Sequence, residues 1–408
     1  MRRLVLVLLV FGLTRGLIGY VSHHPEVYPD GSADPTTDLG NYVFWSNQVQ
    51  DLGNHPYRDF KVEYPPGSIA IANVPYLVTH EEYRLAFIAQ SVAFDALGLW
   101  AVYRLSRRRG SWWGVAAWLG LLPLLGPVAF TRLDMAVAAC IAWALERVEA
   151  GRWTRGGIWL GLGTVIKLTP GLMLPVVAIA APRRWRPAAA FTAVVAVSVL
   201  PFLTDLPKLF DSIAGYHLER GVHAESLWGS AALLARVTMG TSVEVVGAFG
   251  ASDISSRLDD SLKLLSNIAA LVVLIDSVLA AWHVRRGNGA QTVLVAGGYL
   301  VLLTAVGRVF SPQYLVWLVA PIAAGLAIAP RPLRWSAVLL AISIALAHLV
   351  YPVWFFDYMA VKGWAVAVGF ARNLALLGAG LLAVRVAWRY QPAPDPDSAP
   401  DAEPAVAD

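Results

Sequence analysis

Hydrophobic stretches recur along most of the chain and are separated by short polar segments. Each is roughly 20 residues long, which is the length a helix needs to cross the hydrocarbon core of a bilayer. We therefore predict an all-α polytopic membrane protein. The predicted spans are residues 4–22, 82–104, 111–128, 133–149, 156–181, 187–204, 261–282, 290–307, 312–329, 334–353 and 365–386, with a shorter re-entrant or interfacial helix over 66–79.

The apolar stretch 156–181 is interrupted at Lys167-Leu168-Thr169-Pro170. Because proline removes a backbone donor and disfavours helix in the residue before it, we predict two short helices that enter and return on the same side. If 156–181 is such a hairpin, the arginine-rich loops all lie on the same side of the membrane. The positive-inside rule assigns that side to the cytoplasm. The arginines of these loops are Arg2, Arg3, Arg104, Arg107, Arg108, Arg109, Arg147, Arg152, Arg155, Arg183, Arg184, Arg186, Arg285, Arg286, Arg331, Arg334, Arg385 and Arg389.

Composition agrees with the span pattern. Hydrophobic residues make up 57% of the chain and charged residues 15%, whereas soluble domains have about 25% charged residues. The net charge of +4 comes mainly from the loop arginines, so we interpret it as a topology signal and not as a nucleic-acid footprint. The single cysteine, Cys140, lies in an apolar span and cannot form an internal disulfide. The chain contains no Walker or Rossmann glycine motif and no zinc-ligand spacing.

The predicted organisation is one integral-membrane domain over residues 1–390. It includes an external loop at 23–66 and an external segment at 205–260. The first apolar stretch lacks a convincing cleavage site and is interrupted by Arg15, so we interpret it as an uncleaved span. Residues 391–408 are rich in Pro, Ala and Asp, which predicts a disordered cytoplasmic tail.

The polar stretch 34–70 combines acidic and aromatic residues, unlike a solvated linker, and is predicted to fold. Asp38 is its main candidate, because a carboxylate held at a membrane surface can act as a general base. A structural role as the N-cap of a helix over 39–50 is equally compatible with the local pattern. Glu63 and Tyr64 precede a rigid double proline, which makes them either a loop terminator or part of a pocket wall.

Charged residues also occur where predicted spans meet on the side opposite the cytoplasm. Arg132 and Asp134 form either a local ion pair or, through the guanidinium fork, a phosphate contact. Lys167 lies at a helix break and is costly at membrane depth without an anionic partner. The break also leaves N–H groups of the next helix available for an anion. We therefore favour phosphate binding over a snorkelling lysine.

Two later segments add polar groups to the same side. The first, around residues 216–228, supplies Arg220 as a phosphate contact and His217, Glu219 and His223 as substrate contacts. The spacing of its histidines fits no familiar zinc pattern, so hydrogen bonding is favoured. The second, at 308–317, supplies Arg308, Ser311, Gln313 and Tyr314. The alternative role for the aromatic residues of this segment is an interfacial belt, which we expect to account for most of the tryptophans.

The ordered motifs GNHPY, YPPG, RLD, KLTP and RVFSPQYLVW resemble those of polyprenyl-phosphate-sugar-dependent membrane glycosyltransferases. More specifically, the chain resembles glycosyltransferase family 87, also known as DUF2029, over most of residues 4–388. The resemblance implies a GT-C-like bundle of about 11–13 transmembrane helices. It also implies an inverting reaction without direct use of a nucleotide sugar, and a first-loop aspartate, here Asp38, as the catalytic base. The implied donor is polyprenyl-phosphate-mannose or a related sugar such as arabinofuranose.

These expectations combine into one mechanism. Asp38 takes the proton of an acceptor hydroxyl, and cations stabilise the departing lipid phosphate. Lys167, Arg132, Arg220 and Arg308 are the predicted phosphate contacts, and Glu63, Tyr64, Asp134, His217, Glu219, His223, Ser311, Gln313 and Tyr314 the predicted substrate contacts. No cofactor is predicted; a divalent metal between Asp38 and Asp134 is left open, although the spacing supplies no argument for it. The expected acceptor is an extracytoplasmic glycan or glycolipid at the cell membrane.

A transporter or flippase of a lipid-linked or anionic substrate is the alternative, because intramembrane charges and broken helices also mark transporters. Two observations weigh against it. The two halves of the sequence show no inverted repeat, and the charges gather on one face instead of at the midplane. A scaffold protein would not need so many costly charges.

Overall fold

The computed structural model describes residues 2–248 and 251–391. Their first half contains nine helices. These are α1 (Arg2–His23), α2 (Asp38–Gln50), α3 (Gly67–Val78), α4 (Tyr83–Arg109), α5 (Trp113–Leu125), α6 (Asp134–Glu149), α7 (Trp153–Thr164), α8 (Leu174–Ala180) and α9 (Trp185–Val199). Short 3-10 turns lie at Pro25–Val27, Gly126–Ala129, Thr169–Met173 and Leu200–Asp205.

The second half contains one small sheet among further helices. Its elements are α10 (Leu206–Phe210), α11 (Tyr216–Glu219), α12 (Leu227–Met239), β1 (Val243–Ala248), β2 (Ala251–Ser256), α13 (Asp259–His283), α14 (Gly289–Val306), α15 (Tyr314–Ile328), α16 (Pro330–His348), α17 (Phe355–Met359) and α18 (Gly363–Arg389). Single π-helical turns occur at Asp211–Gly215 and Leu349–Val353. Strands β1 and β2 pair antiparallel, with Val243 opposite Ser256.

Within the described residues, 7 helices are long and apolar enough to cross a membrane. They are Arg3–His23, Tyr83–Arg109, Trp185–Gly215, Asp259–His283, Gly289–Val306, Pro330–Val353 and Gly363–Arg389. The prediction of a helical polytopic membrane protein is confirmed. The apolar stretches predicted as spans at 111–128, 133–149 and 312–329 form the shorter helices α5, α6 and α15.

Burial separates an inner from an outer set of helices. Nearly every residue of α6 and α15 is buried, and 89% of the most apolar stretch of α14 is buried. In contrast, none of the corresponding stretch of α9 and only 17% of that of α1 is buried. An apolar surface left uncovered on a long helix is suited to lipid. The outer helices therefore present the membrane-facing surface, and α6, α14 and α15 form the protein interior.

The predicted hairpin over 156–181 is present. Helix α7 ends at Thr164, the chain passes through Lys167 into a 3-10 turn, and α8 follows. Residues just before α7 and just after α8 line a common cavity, so the two helices return to the end at which they began. The break also anchors the first loop, since Gly67 N donates to Val165 O over 2.7 Å. A Cβ at Gly67 would lie 2.6 Å from that oxygen, so the contact requires glycine.

The loop between α1 and α3 is folded, as predicted, and contains α2. Asp38 is the first residue of α2, and its N-cap is Thr37, which makes no side-chain capping bond. The N-cap interpretation of Asp38 is therefore wrong. The division into one domain over 1–390 stays a prediction, and the predicted tail at 391–408 lies, apart from its first residue, outside the described residues.

Candidate active site

A cavity of about 620 Å³ lies at one end of the bundle, between the first loop and the segment that follows α11. It is open on one side and has both charged and aromatic walls. The predicted site residues that line it are Asp38, Glu63, Tyr64, Arg132, Arg220, His223, Ser311, Gln313 and Tyr314. The structure thus brings together residues that are up to 276 positions apart in the sequence.

Asp38 is paired with Arg132 on one wall of this cavity. Its Oδ2 lies 2.8 Å from Arg132 Nε, and the side chains are 29% and 4% exposed, respectively. The approach forms an ion pair, although the angle at Nε does not satisfy a hydrogen bond. Arg132 is further fixed because its terminal nitrogens donate to Pro35 O over 3.1 Å and to the Tyr351 hydroxyl over 3.2 Å. Arg132 therefore holds the Asp38 carboxylate in a defined position.

Asp134 and Lys167 form a second pair behind the cavity wall. Lys167 Nζ donates to both carboxylate oxygens, over 3.0 and 2.8 Å, and both side chains are almost fully buried. Trp317 Nε1 donates to the same carboxylate. Lys167 Nζ also lies 4.9 Å from the centre of the Tyr64 ring and 5.9 Å from that of Tyr314. The pair thus braces two aromatic rings that line the cavity, while neither charge lines it directly.

Arg220 differs from the other arginines of the site. It is 6% exposed and lines the cavity, yet it makes no salt bridge or hydrogen bond with any residue in the described ranges. Its guanidinium lies 5.3 Å from the centre of the Tyr216 ring. The next residue is anchored, since Gly221 N donates to Asp253 Oδ2 over 3.1 Å. A buried guanidinium with unused donors marks a place where an anion can bind.

The electrostatics of the remaining lining residues follow from burial and from these charges. Burial raises the pKa of Glu63, and the neighbouring charge of Asp38 adds to the effect. Burial lowers the pKa of His223 to about 3, assisted by the positive charges of Arg220 and Arg372. His223 is therefore neutral at physiological pH, and its Nδ1 has no hydrogen-bond partner among the described residues.

Glu225 also lines the cavity, although sequence reasoning did not select it. Its Oε1 lies 3.0 Å from Arg372 Nη1, and Asn373 Nδ2 donates to the Glu225 carbonyl over 3.0 Å. Arg372 is fully buried and its guanidinium lies 4.5 Å from the centre of the Phe310 ring. An arginine inside the apolar span α18 was the available sequence signal, because such a charge requires a partner.

Two further predicted site residues, Glu219 and Arg308, do not line this cavity. Glu219 is exposed, and Arg308 contributes Nη1 to a 3.5 Å contact with Asn267 Oδ1 on α13. Arg308 nevertheless adjoins the site, since His223 N donates to its carbonyl over 2.9 Å. The side chain of His217 lies outside the described part of the structure. Ser311 Oγ donates to Gln313 Oε1 at the cavity wall.

Metal ligands are not clustered in this region. In the ranges that the structure describes, no group of three or more His, Cys, Asp or Glu side chains is arranged to hold an ion. The two carboxylates considered for a divalent ion, Asp38 and Asp134, are instead each paired with a cation. The site is thus built from ion pairs, one unpaired arginine and aromatic walls.

Comparison with known proteins places the chain in a family. The family model "Glycosyltransferase family 87" matches residues 63–312, which is more than half of the chain. Two crystal structures of ArnT from Cupriavidus metallidurans are similar at 15% identity, each covering 92% of this chain and 77% of that chain. Their TM-scores are 0.46 for the form bound to undecaprenyl phosphate and 0.45 for the apo form. No curated protein matches. The chain belongs to glycosyltransferase family 87 and is a membrane glycosyltransferase.

Proposed function

We propose that the protein transfers a sugar from a polyprenyl-phosphate-linked donor to a glycan or glycolipid acceptor on the extracytoplasmic side of the cell membrane. The observation that carries the proposal is Arg220, a buried cation without a partner among the described residues, in the same cavity as Asp38. A lipid phosphate supplies the missing anion. The carboxylate supplies a base for the acceptor. One cavity therefore offers the two groups that transfer from a phosphate-linked sugar requires.

In this mechanism Asp38 is the general base. The acceptor hydroxyl loses its proton to Asp38 as its oxygen attacks the anomeric carbon, and the bond from that carbon to the donor phosphate oxygen breaks. Attack opposite the leaving phosphate inverts the anomeric centre. Arg132 orients the carboxylate through the 2.8 Å ion pair, which keeps the base in a fixed position before the acceptor arrives.

The departing phosphate gains negative charge, which the buried guanidinium of Arg220 stabilises. Arg308 is the second phosphate contact that we propose. Burial lowers the pKa of Arg308, the positive charge of Arg220 lowers it further, and the negative charge of Asp253 opposes both effects. A phosphate bound by both arginines would offset the positive charge that each places on the other. Lys167 acts instead as a positioning residue, because its charge is already paired with Asp134.

The other polar and aromatic groups of the cavity suit a sugar and a lipid. Glu63, His223, Ser311 and Gln313 offer hydrogen-bonding groups for hydroxyls, and Tyr64 and Tyr314 offer ring faces. Apolar residues of the α16–α17 region, including Phe355 and Phe356, complete the wall, and Phe356 is 57% exposed. We place the polyprenyl chain on this apolar side. Mannose is the expected sugar, with arabinofuranose as the alternative.

The extracytoplasmic location rests on the distribution of charge. The candidate active site lies at the end of the bundle opposite the arginines of the short loops, which the positive-inside rule assigns to the cytoplasm. A cysteine introduced at position 51 is therefore expected to react with an impermeant thiol reagent from outside intact cells. If position 51 is labelled only after the cells are permeabilised, the first loop lies on the cytoplasmic side and the proposed orientation is wrong.

The central test is sugar transfer by purified protein from a synthetic polyprenyl-phosphate-mannose and a matching arabinofuranose donor. Asp38→Asn is expected to lower the rate by about 10²–10⁴-fold, because the amide cannot accept the acceptor proton. Asp59→Asn in the same loop is the matched control, since Asp59 pairs with Arg58 outside the cavity. Undiminished transfer by Asp38→Asn would exclude Asp38 as the base. Donor movement across liposomes without any transfer would support the transporter alternative.

A further inference from the structure

A second cavity, of about 430 Å³, lies at the end of the bundle opposite the candidate active site. It forms where α7 and α9 begin, whereas the other end of α7 leads to Lys167 behind the active-site wall. We call it the basic cavity. Its lining residues are Gly151, Arg152, Trp153, Thr154, Arg155, Pro182, Arg183 and Arg186. Half of these residues are arginines.

Close helix packing brings the two arginine pairs together. A Cβ at Gly157 on α7 would lie 2.2 Å from Pro187 O on α9, and one at Gly161 would lie 2.9 Å from Val194 Cβ. The two helices therefore touch along their backbones at glycines. Because the contact between Gly157 and Pro187 lies within two turns of both helix starts, it fixes the distance between the loops at 151–155 and 182–186.

The arginines of the basic cavity keep their donors available. In the described parts of the chain, none of the four forms a salt bridge or a side-chain hydrogen bond. The neighbouring arginines at the same end behave differently. Arg108 pairs with both Glu146 and Glu149, at 2.6 Å each, and Arg109 pairs with Glu149 at 2.6 Å. Arginines beside the cavity thus have acidic partners, whereas the arginines that line the cavity have none among the described residues.

The helix starts add further positive potential. Helices α7, of 12 residues, and α9, of 15 residues, both begin at the cavity. Neither start has a side-chain cap, and neither has an acidic residue in its first turn. The first N–H groups of both helices and the positive ends of their dipoles are therefore free of a built-in anion. Two helix starts and four guanidinium groups all favour an anion of phosphate type.

The cavity is placed to receive that phosphate from the bilayer. The most apolar stretch of α9 is entirely unburied, and Trp185 at its start is 66% exposed, as is typical of a residue at the membrane interface. The loops that line the cavity therefore lie at headgroup level. We propose that the basic cavity binds the phosphate headgroup of an anionic membrane lipid, in the leaflet opposite the active site. Basic pockets between transmembrane helices suit such headgroups.

The test uses the full-length protein in detergent, titrated with phosphatidylglycerol or phosphatidylcholine of equal chain length and read by native mass spectrometry. Wild type is expected to prefer phosphatidylglycerol. Arg152→Gln with Arg183→Gln is expected to weaken phosphatidylglycerol binding by roughly 30-fold, with phosphatidylcholine binding unchanged. Arg155→Gln with Arg186→Gln is expected to have a similar effect. Arg331→Gln with Arg334→Gln removes the same charge from the start of α16 and is expected to leave both affinities unchanged.

Three results would overturn the proposal. They are equal binding of the two lipids by wild type, full retention of phosphatidylglycerol preference in the cavity variants, and an equal loss in the α16 control. Displacement of phosphatidylglycerol by excess inorganic phosphate would assign the cavity to a soluble anion instead. If the variants do not fold, a photoreactive phosphatidylglycerol on wild type decides the question. Crosslinks at 151–155 or 182–186 support the proposal, and crosslinks confined to other segments contradict it.

Discussion

The two walls of the candidate active site carry charge in different ways. On the wall formed by α2 and the starts of α6 and α15, each buried cation has an acidic partner, as in Arg132 with Asp38 and Lys167 with Asp134. On the facing wall, Arg220 has no partner among the described residues, and His223 is neutral. The paired cations thus stabilise the structure of the site, whereas Arg220 remains available to bind an anionic ligand. Substitutions on the first wall should therefore mainly lower the stability of the fold, and substitution of Arg220 should mainly lower the affinity for the donor.

The largest effect is expected from Lys167→Ala. This change leaves the Asp134 carboxylate buried without its cation, which typically costs about 3–5 kcal/mol of unfolding free energy. Thermal unfolding in detergent, followed by tryptophan fluorescence, measures the loss. The double variant Asp134→Leu with Lys167→Met is the control and should recover most of the stability, because it removes both charges. A stable Lys167→Ala protein with weakened donor binding would return Lys167 to the phosphate role predicted from the sequence.

A smaller effect of the other kind is expected from Arg220→Gln. Losing a charge-assisted hydrogen bond costs about 1.5–3 kcal/mol, so donor affinity should fall by roughly 10–150-fold. The unfolding free energy should change little, since Arg220 makes no salt bridge or hydrogen bond with a described residue and loses only its contact with the Tyr216 ring. Binding of a non-hydrolysable polyprenyl-phosphate-sugar analogue measures the affinity. Arg58→Gln, on an exposed ion pair, is the matched control. Unchanged affinity together with lower stability would make Arg220 a structural residue.

The last effect is absent at neutral pH and develops only in acid. His223 has a pKa of about 3 in the folded state instead of the ordinary 6.5, mainly because it is buried. The unfolded chain therefore binds one more proton between these values. Stability is complete above pH 6.5 and falls by up to about 1.4 kcal/mol per pH unit as the pH drops through this window. His223→Gln should flatten the acid side of the profile of melting temperature against pH. An unchanged slope would place the titrating group elsewhere.

The helix pattern and the main polar stretch were predictable from the sequence because both are local properties. Proline at position 170 specifies the break after α7, and the aromatic residues among the acids of 34–70 indicate a folded loop. The shorter helices α6 and α15 were predicted as spans, since apolar composition alone does not distinguish a lipid neighbour from a protein neighbour. The structure shows that the neighbours of both helices are protein, because nearly all of their residues are buried among other helices.

Ion-pair partners were not predictable in the same way. The sequence suggested a local pair between Arg132 and Asp134, which are two residues apart. In the fold, Arg132 turns toward Asp38 and Asp134 toward Lys167, because α2 and the α7 break approach the start of α6 from different sides. Which partner each charged residue pairs with depends on tertiary packing, and the spacing of residues along the sequence does not specify it. The pairing of Glu225 with Arg372 was missed for the same reason, although the buried charge in α18 was visible in the sequence.

The shortness of α7 has a consequence for the environment of the reaction. Its 12 residues extend about 18 Å, whereas the hydrocarbon core of a bilayer is about 30 Å thick. Starting from the headgroup level at Arg152, the helix ends before it reaches the opposite surface. Lys167, which lies just behind the wall of the candidate active site, is therefore below the level of the headgroups on that side. For the proposed transfer, a cavity that reaches toward this depth would hold less bulk water at its inner end, which would favour attack by the acceptor hydroxyl over hydrolysis.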